Sequence, residues 1–470
     1  MKLYKITNFV IILLVITAIL QTGELWLQGT DSHNFFYALM DSLQDGKKEM
    51  DGDVLLATRY AVGEGEGTFS LYYPDEVGNS DMLETANRAL GEILSQKQGD
   101  HQKSVADWKE ILSGRCIVMQ YDFMIASEEY MENYSAQNPE ENLERFDSIT
   151  IVPAMRSGED SLAYFVNSET NECLLFQAEG GGASTALYEL LKTEENGIRY
   201  ISTGQRTSAS ALWRNMFLPQ WAHLPYAYAP LVREFAFEKD GEASYSLLEE
   251  TAGGFFRNFS MDWSSQAEDG TFIFSDDETV VKYYPNTKVM EYFNYENHSG
   301  EERTGLLEGY QICCNFLKND RSLKTDIYLA DVQRTINNEI IYYFDYAVDN
   351  LPVHLSQPLR DSIGSPHAIE VTLRNQAVKG YRRYAVNFTQ TKDKTERVNV
   401  QFIDALDDAN KMYQTIVEDK DITDVKNINM GYHVDLTGSM RLKWFVTLYE
   451  YTFVVDTDQA KDLTGMAAEE

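Results

Sequence analysis

The chain has 470 residues, and its 40 Lys and Arg stand against 74 Asp and Glu, a formal charge of −34. With 43% apolar and 12% aromatic residues this is a globular composition and not a disordered acidic tail. So large an acidic excess repels phosphate backbones and excludes nucleic acid as a partner, while four cysteines, two of them adjacent, exclude a disulfide scaffold and a four-thiolate zinc ribbon.

Residues 6–27 read ITNFVIILLVITAILQTGELWL, with Glu24 the single charge. About 20 apolar residues cross a bilayer, so this stretch predicts one membrane-spanning helix. Small residues at a cleavage position are not evident and the first cysteine is Cys116, which favours a retained anchor over a cleaved signal peptide. Lys2 and Lys5 precede the span, and Glu24 and Asp31 follow it. The positive-inside rule then leaves residues 1–29 as cytoplasmic stub and anchor, with the bulk of the chain outside the cell membrane. Thr17, Ala18 and Gln21 share one helical face, with Leu14 one turn above. Small and polar residues on one face are what membrane helices use to recognise each other, so these four are candidate partner-binding residues; the plainer reading is that Thr17 bonds its own backbone and Gln21 snorkels.

Residues 30–215 predict an α+β domain. An amphipathic stretch at 32–40, opened by Ser32 as a helix cap, comes first. Met82, Leu83, Ala86, Leu90 and Ile93 recur at helical spacing, as do Val105, Trp108, Ile111 and Leu112. Strands are expected at 116–123 and 148–152, followed by a hairpin of 162–166 with 173–176. Residues 216–305 predict a β-rich middle domain whose clearest part is a meander of 271–275, 279–284 and 289–293.

Residues 306–470 predict two helix-plus-sheet units, 306–393 and 398–470. In the first, Leu307, Tyr310, Cys314 and Leu317 mark a helix before strands at 325–332, 339–348, 368–374 and 378–388. In the second, Phe402, Ala405, Leu406, Ala409, Tyr413 and Ile416 mark a helix before strands at 422–434 and 442–455. Two copies are too few for an open solenoid, so the units are expected to pack on each other about a joint at 394–397. The fold class is therefore α+β: a single N-terminal membrane helix, then a multi-domain exterior of antiparallel sheets covered by helices.

The catalytic motifs of serine hydrolases, zinc proteases, nucleotide-binding loops and dinucleotide folds are missing. The seven histidines, at 33, 101, 223, 298, 354, 367 and 433, stand singly, without the short spacings that set two imidazoles on one metal. Carboxylate pairs suited to glycoside hydrolysis are guaranteed by chance among 74 acidic residues. The segment Glu179-Gly180-Gly181-Gly182-Ala183-Ser184-Thr185 could aim backbone N–H groups at an anion, but it holds no Lys or Arg. A tight strand-to-helix turn, with Ser184 or Thr185 as N-cap, is the favoured reading. Asp41, Asp45, Asp51 and Asp53 lack EF-hand spacing and read as solvated turns rather than calcium ligands. Cys313 and Cys314 lie on an apolar helix and read as buried thiols. Cys116 and Cys173, on separate strands that could be neighbours, are either two buried thiols or a disulfide.

Three sets of residues carry a family resemblance. They are the anchor running into Leu25-Trp26-Leu27 and Ser32-His33-Asn34-Phe35-Phe36-Tyr37, the segment Val280-Val281-Lys282-Tyr283-Tyr284-Pro285 with Glu291-Tyr292, and Phe344-Asp345-Tyr346 with Leu351-Pro352-Val353 and His367-Ala368-Ile369-Glu370-Val371-Thr372. Together they resemble the YycH family, and the tail 402–455 is similar to the C-terminal part of YycI. The resemblance implies a membrane-anchored regulator of a cell-wall-sensing two-component system in Gram-positive bacteria. It implies no enzyme activity and no cofactor. Its implied partners, reached through membrane helices, are the sensor histidine kinase YycG, also called WalK, and a YycI-like companion. The competing expectations are a surface ligand-binding module and an anchored wall-polymer hydrolase.

Overall fold

The computed structural model of the protein describes residues 57–65, 67–73, 80–96, 100–102, 108–134, 143–170, 172–191, 199–203, 216–219, 231–235, 238–239, 242–243, 245–256, 264–296, 304–348, 351–390, 400–417 and 425–458. The expected membrane helix with Leu14, Thr17, Ala18 and Gln21, the amphipathic stretch 32–40, the acidic turns at 41–53 and the joint at 394–397 lie outside the described residues. Among the described residues no helix is long and apolar enough to cross a membrane.

The first part of the chain supplies β1 (Arg59–Gly65), β2 (Thr68–Tyr72), α1 (Ser80–Gln96), β3 (Asp100–Gln102), α2 (Trp108–Ile111), β4 (Arg115–Ala126), α3 (Ser127–Glu132), β5 (Arg145–Val152), β6 (Asp160–Val166), β7 (Cys173–Glu179), α4 (Gly182–Leu190), β8 (Tyr200–Ser202) and β9 (Phe217–Pro219). Its strands form a nine-stranded antiparallel sheet in the order β3-β7-β6-β5-β4-β1-β2-β8-β9. Side chains alternate across the pleat, so Ile117 and Met119 of β4 face one core with Phe165 and Phe176, while Cys116 and Val118 face another with Ala61 and Phe69. The apolar stripe of α1, Met82 to Leu94, packs into the first of these cores.

The remainder supplies β10 (Leu231–Phe235), β11 (Glu238–Lys239), β12 (Glu242–Ala243), α5 (Tyr245–Gly253), β13 (Ser264–Gln266), β14 (Phe272–Ser275), β15 (Thr279–Tyr284), β16 (Val289–Asn294), α6 (Leu306–Leu317), β17 (Asp326–Arg334), β18 (Ile340–Val348), β19 (Leu351–Leu355), α7 (Gln357–Ile363), β20 (Ile369–Arg374), β21 (Ala377–Tyr384), β22 (Val386–Gln390), α8 (Phe402–Ile416), β23 (Val425–Val434), β24 (Met440–Leu448) and β25 (Tyr451–Asp456). A twelve-stranded sheet runs β13-β14-β15-β16-β21-β20-β18-β19-β23-β24-β25, with β17 paired to β18. It forks at β18. Residues 340–344 pair with β20 and 346–348 pair with β19, which leaves Asp345 at the branch. Tyr310, Cys313, Cys314 and Leu317 of α6 are buried against this sheet, and Gly309 lets Tyr342 approach so closely that an added Cβ would lie 2.3 Å from its hydroxyl. α8 buries Ala405, Ala409 and Tyr413, and Trp444 donates its indole N–H to the Val400 carbonyl at 3.0 Å.

Several expectations change at this level. The meander at 271–293 is present as β14–β16, but β16 pairs with β21, so the boundary expected at 305 does not interrupt the sheet. β9, also from the expected middle domain 216–305, belongs to the nine-stranded sheet. The two C-terminal units, 306–393 and 398–470, do not stack; they join edge to edge where β19 pairs with β23 in parallel, an arrangement that the α8 crossover permits. The strand expected at 442–455 is a hairpin, β24 and β25, turned at Tyr449. Tyr449 takes the left-handed φ of +54°, held there by stacking on Tyr413 at 5.5 Å instead of by glycine. The helix expected from Val105 to Leu112 is a single turn, α2, among the described residues.

At the glycine segment, α4 starts after Gly181 without a side-chain cap. Ser184 instead lies inside α4, 2.6 Å from the Ser161 hydroxyl, and the Ala183 N–H donates to the Glu92 carboxylate at 3.3 Å. The positive helix end is thus already satisfied by a carboxylate of α1. Cys116 and Cys173 are both buried and are not joined in a disulfide, because β5 and β6 stand between their strands β4 and β7. Cys313 and Cys314 are buried and form no disulfide either.

Candidate functional site: the cleft between the sheets

The two sheets touch along β4 and β17, where Thr58 donates its hydroxyl to the Leu329 carbonyl at 3.1 Å and the rings of Tyr73 and Tyr328 lie 4.9 Å apart. An ion pair between Arg334 and Glu129 adds a further link. Beside this seam opens a cleft of about 840 Å³, with Gln120 to Met124 of β4 on one wall and residues of β19, β23 and β24 on the other. A smaller cavity of about 250 Å³ shares Asp122, His354 and Arg360 with it and reaches in to Asp345 and His367.

Burial and charge shape this site. Arg59 donates to Gln120 at 2.8 Å and pairs with Asp122 at 3.3 Å. Burial alone would lower the Arg59 pKa, but Asp122 together with Tyr73 and Tyr328 outweighs it, so the guanidinium is held charged. At the fork, Asp345 accepts the Ala368 N–H at 2.8 Å and holds the His367 ring at 2.7 Å. Burial would raise the Asp345 carboxyl, yet His367 and that N–H keep it below the ordinary carboxylate value. Burial likewise works against charged His367, and Asp345 again prevails, so the imidazole is raised above its usual value. Among the described residues, no serine, threonine or cysteine lines the smaller cavity. By holding both the Ala368 N–H and the His367 ring, Asp345 fixes the start of β20.

His354 behaves in the opposite way. Burial lowers it to about 4, against the pull of Asp345 and Asp122, so it is neutral at physiological pH. Its ring lies 3.9 Å from that of Phe445 and covers Gly431, where a Cβ would come within 2.8 Å of the imidazole. His433, the register partner of His354 across the parallel pair, also borders the cleft and is lowered by burial and by Lys443. Burial raises Asp147 on the opposite wall to about 6.

Histidines that stand singly in the sequence are thus brought near each other: His354 and His433 line the larger cleft, and His354 and His367 the smaller cavity. Among the described residues no group of three or more potential metal ligands forms. The sequence reading missed β19 and α7 and with them His354, Ser356 and Arg360. The only signal was the alternation Pro352, His354, Ser356, which places all three on one strand face.

The described architecture is that of an α+β protein with two large sheets flanking a polar cleft, a shape suited to binding. In structure the chain is similar to YycH from Bacillus subtilis, at 13% identity and a TM-score of 0.48 over 88% of this chain and 99% of that one. It is similar to an uncharacterized protein from Eubacterium rectale at 13% identity, with a TM-score of 0.31 over 51% and 86% of the two chains. It is also similar to the Bacillus megaterium YpeB C-terminal domain at 12% identity, with a TM-score of 0.25 over 46% and 94%. No family model matches the chain, and no curated protein does.

Proposed function

We propose that this chain is a membrane-anchored extracytoplasmic regulator that associates with a sensor histidine kinase of a cell-wall two-component system and modulates its activity, alongside a YycI-like companion. The observation that carries the reading is where the YycH-like segments fall. Val280–Pro285, Glu291-Tyr292, Phe344-Asp345-Tyr346, Leu351-Pro352-Val353 and His367–Thr372 are far apart in the chain, yet they lie on or beside β15, β16, β18, β19 and β20 of one sheet. The described segments of the resemblance thus gather in one sheet, with β21 between the β15–β16 pair and the run β20–β18–β19.

In this reading residues 6–27 are the anchor, and Leu14, Thr17, Ala18 and Gln21 form its contact face. Membrane helices gain no hydrophobic drive from lipid, so their association depends on close approach and polar contacts, each worth about 0.5–2 kcal/mol. The test replaces residues 6–27 of the full chain with an unrelated apolar helix of equal length and measures co-purification with the kinase and its autophosphorylation in membranes. Coupling is expected to be lost. Thr17→Leu, Ala18→Ile and Gln21→Leu together are expected to keep insertion and weaken coupling about tenfold. Unchanged regulation after the helix swap would reject the membrane-helix contact, and a C-terminal reporter active in the cytoplasm would reject the topology.

A further inference from the structure

The two large sheets end in four strands, β3, β9, β13 and β25. The first three are three residues each, and β9 closes on Pro219, which has no N–H to offer. β25 is unlike them. It runs six residues, Tyr451–Asp456, pairs with β24 on one side and, among the described residues, with no strand on the other. It holds no proline and no lysine, and its register runs without a bulge, so it lacks the devices that ordinarily blunt an edge. Leu448 and Tyr451 close the turn into β25. Paired and unpaired positions alternate along an antiparallel ladder, so Thr452, Val454 and Asp456 turn their backbone N–H and C=O groups outward.

The helix that covers this hairpin has an uncovered end as well. Ala405, Ala409, Met412 and Ile416 of α8 recur at i, i+4, i+7 and i+11, which sets them on one stripe. Ala405 and Ala409 are wholly buried over the sheet, whereas Met412 is 42% and Ile416 58% exposed. Tyr413, next to Met412, reaches the rings of Tyr451 and Phe453 at 6.1 and 6.3 Å, so the stripe outruns the sheet at its last strand. Tyr451 and Val454 of β25 are exposed too. An open ladder and an uncovered apolar stripe thus coincide, and one added strand would use both: its backbone pairs with β25, and its apolar side chains lie under Met412 and Ile416. Charge narrows the choice of strand. Glu450 and Asp458 stand at the two ends of β25, and Asp404 and Asp407 are exposed on α8, while Asp456 is paired with Lys443. A second copy would set these acidic groups against their own kind, on a chain whose charge is −34. We propose that β25 is a docking edge for an extended segment of a partner protein, in which β-branched or aromatic residues are flanked by Lys or Arg. This contact belongs to the exterior and stands whether or not membrane helices meet.

The test titrates the full-length protein in detergent into a fluorescent, end-blocked peptide, Lys-Thr-Val-Val-Phe-Thr-Arg, and follows its anisotropy. Two control peptides carry Glu at both ends, or N-methyl groups on alternate backbone nitrogens, which keep the side chains and remove the pairing donors. The basic peptide is expected to bind below millimolar concentration and to slow hydrogen exchange at the amides of Thr452, Val454 and Asp456. Each control should bind at least about tenfold more weakly. Val454→Pro deletes an outward N–H without touching the ladder to β24, and Ile416→Asp spoils the stripe at an exposed position. Both variants are expected to keep the wild-type unfolding curve and to weaken the basic peptide about tenfold. Absence of binding at millimolar concentration, equal binding of the N-methylated peptide, or unchanged affinity in both variants would overturn the docking edge. Self-association of the protein that Val454→Pro abolishes would overturn it as well, by giving the edge to a second copy.

Discussion

The two branches of the twelve-stranded sheet treat buried polar groups in opposite ways. On the β20–β21 branch Arg383 is fully buried, and all its donors are used: Nε to the Tyr346 hydroxyl, one terminal nitrogen to Asp320 and the Ser322 hydroxyl, the other to the carbonyls of Ser322 and Val386. Asp320 accepts from Tyr381 and Ser322 as well; burial would raise its carboxyl, but Arg383 and these hydroxyls hold it below the ordinary value. On the β19–β23 branch, His354, Ser356, Arg360 and Asn429 each leave a buried atom unmatched. A saturated network of this kind fixes one conformation of the core. Arg383 is thus tied into the core on every side, a saturation that the four residues of the other branch do not reach.

The largest loss of stability is expected from Arg383→Met. It leaves Asp320 buried without its counter-charge and is expected to cost about 3–5 kcal/mol in urea unfolding. A loss below about 1 kcal/mol would mean that the network is not the anchor described. Gly431→Ala comes next, because its Cβ would press on the His354 ring and the Pro352 carbonyl. We expect about 1–3 kcal/mol of destabilisation, with the imidazole resonances of His354 shifted in NMR spectra.

A smaller effect separates the two kinds of histidine by pH. The folded value of His354 is about 4, below its ordinary value of 6.5, so the unfolded chain takes up the proton first and stability falls as pH drops from about 6.5 to 4. His354→Gln should remove that slope, worth on the order of 1–2 kcal/mol once screening in the open cleft is allowed for. The Asp345–His367 pair runs the other way. Raised in the fold, His367 contributes stability that is fully present below 6.5 and is lost as pH rises through its folded value, so His367→Gln should cost most on the acid side. The least effect on stability is expected from Arg360→Gln, within about 0.5 kcal/mol, since its side chain is half-exposed and engages only a neighbouring glutamine. A large loss there would move Arg360 to the structural side of the comparison.

Much of the fold was legible because it is local. Period-3.6 stripes marked α1, α6 and α8, and period-2 runs marked β5, β6, β7, β15 and β16, since burying one face of a helix or strand constrains residues a few positions apart. β19 was not legible. Pro352 argues against a central strand, and the element survives with only three register pairs to each neighbour. The Tyr449 turn was hidden as well, because its left-handed residue is secured by a stacked tyrosine from α8, 36 positions away, in place of a local glycine.

By itself the sequence determined the α+β class, the acidic surface, the apolar stretch at 6–27 and the absence of any contiguous catalytic motif, because each depends on composition or short spacing. Folding alone sets His354 beside His433 in one cleft and beside His367 in the next, brings Glu92 to the end of α4, and puts Asp345 at a fork. Those contacts join residues tens of positions apart through strand pairing across two sheets, and no local spacing rule records which edge a strand will choose.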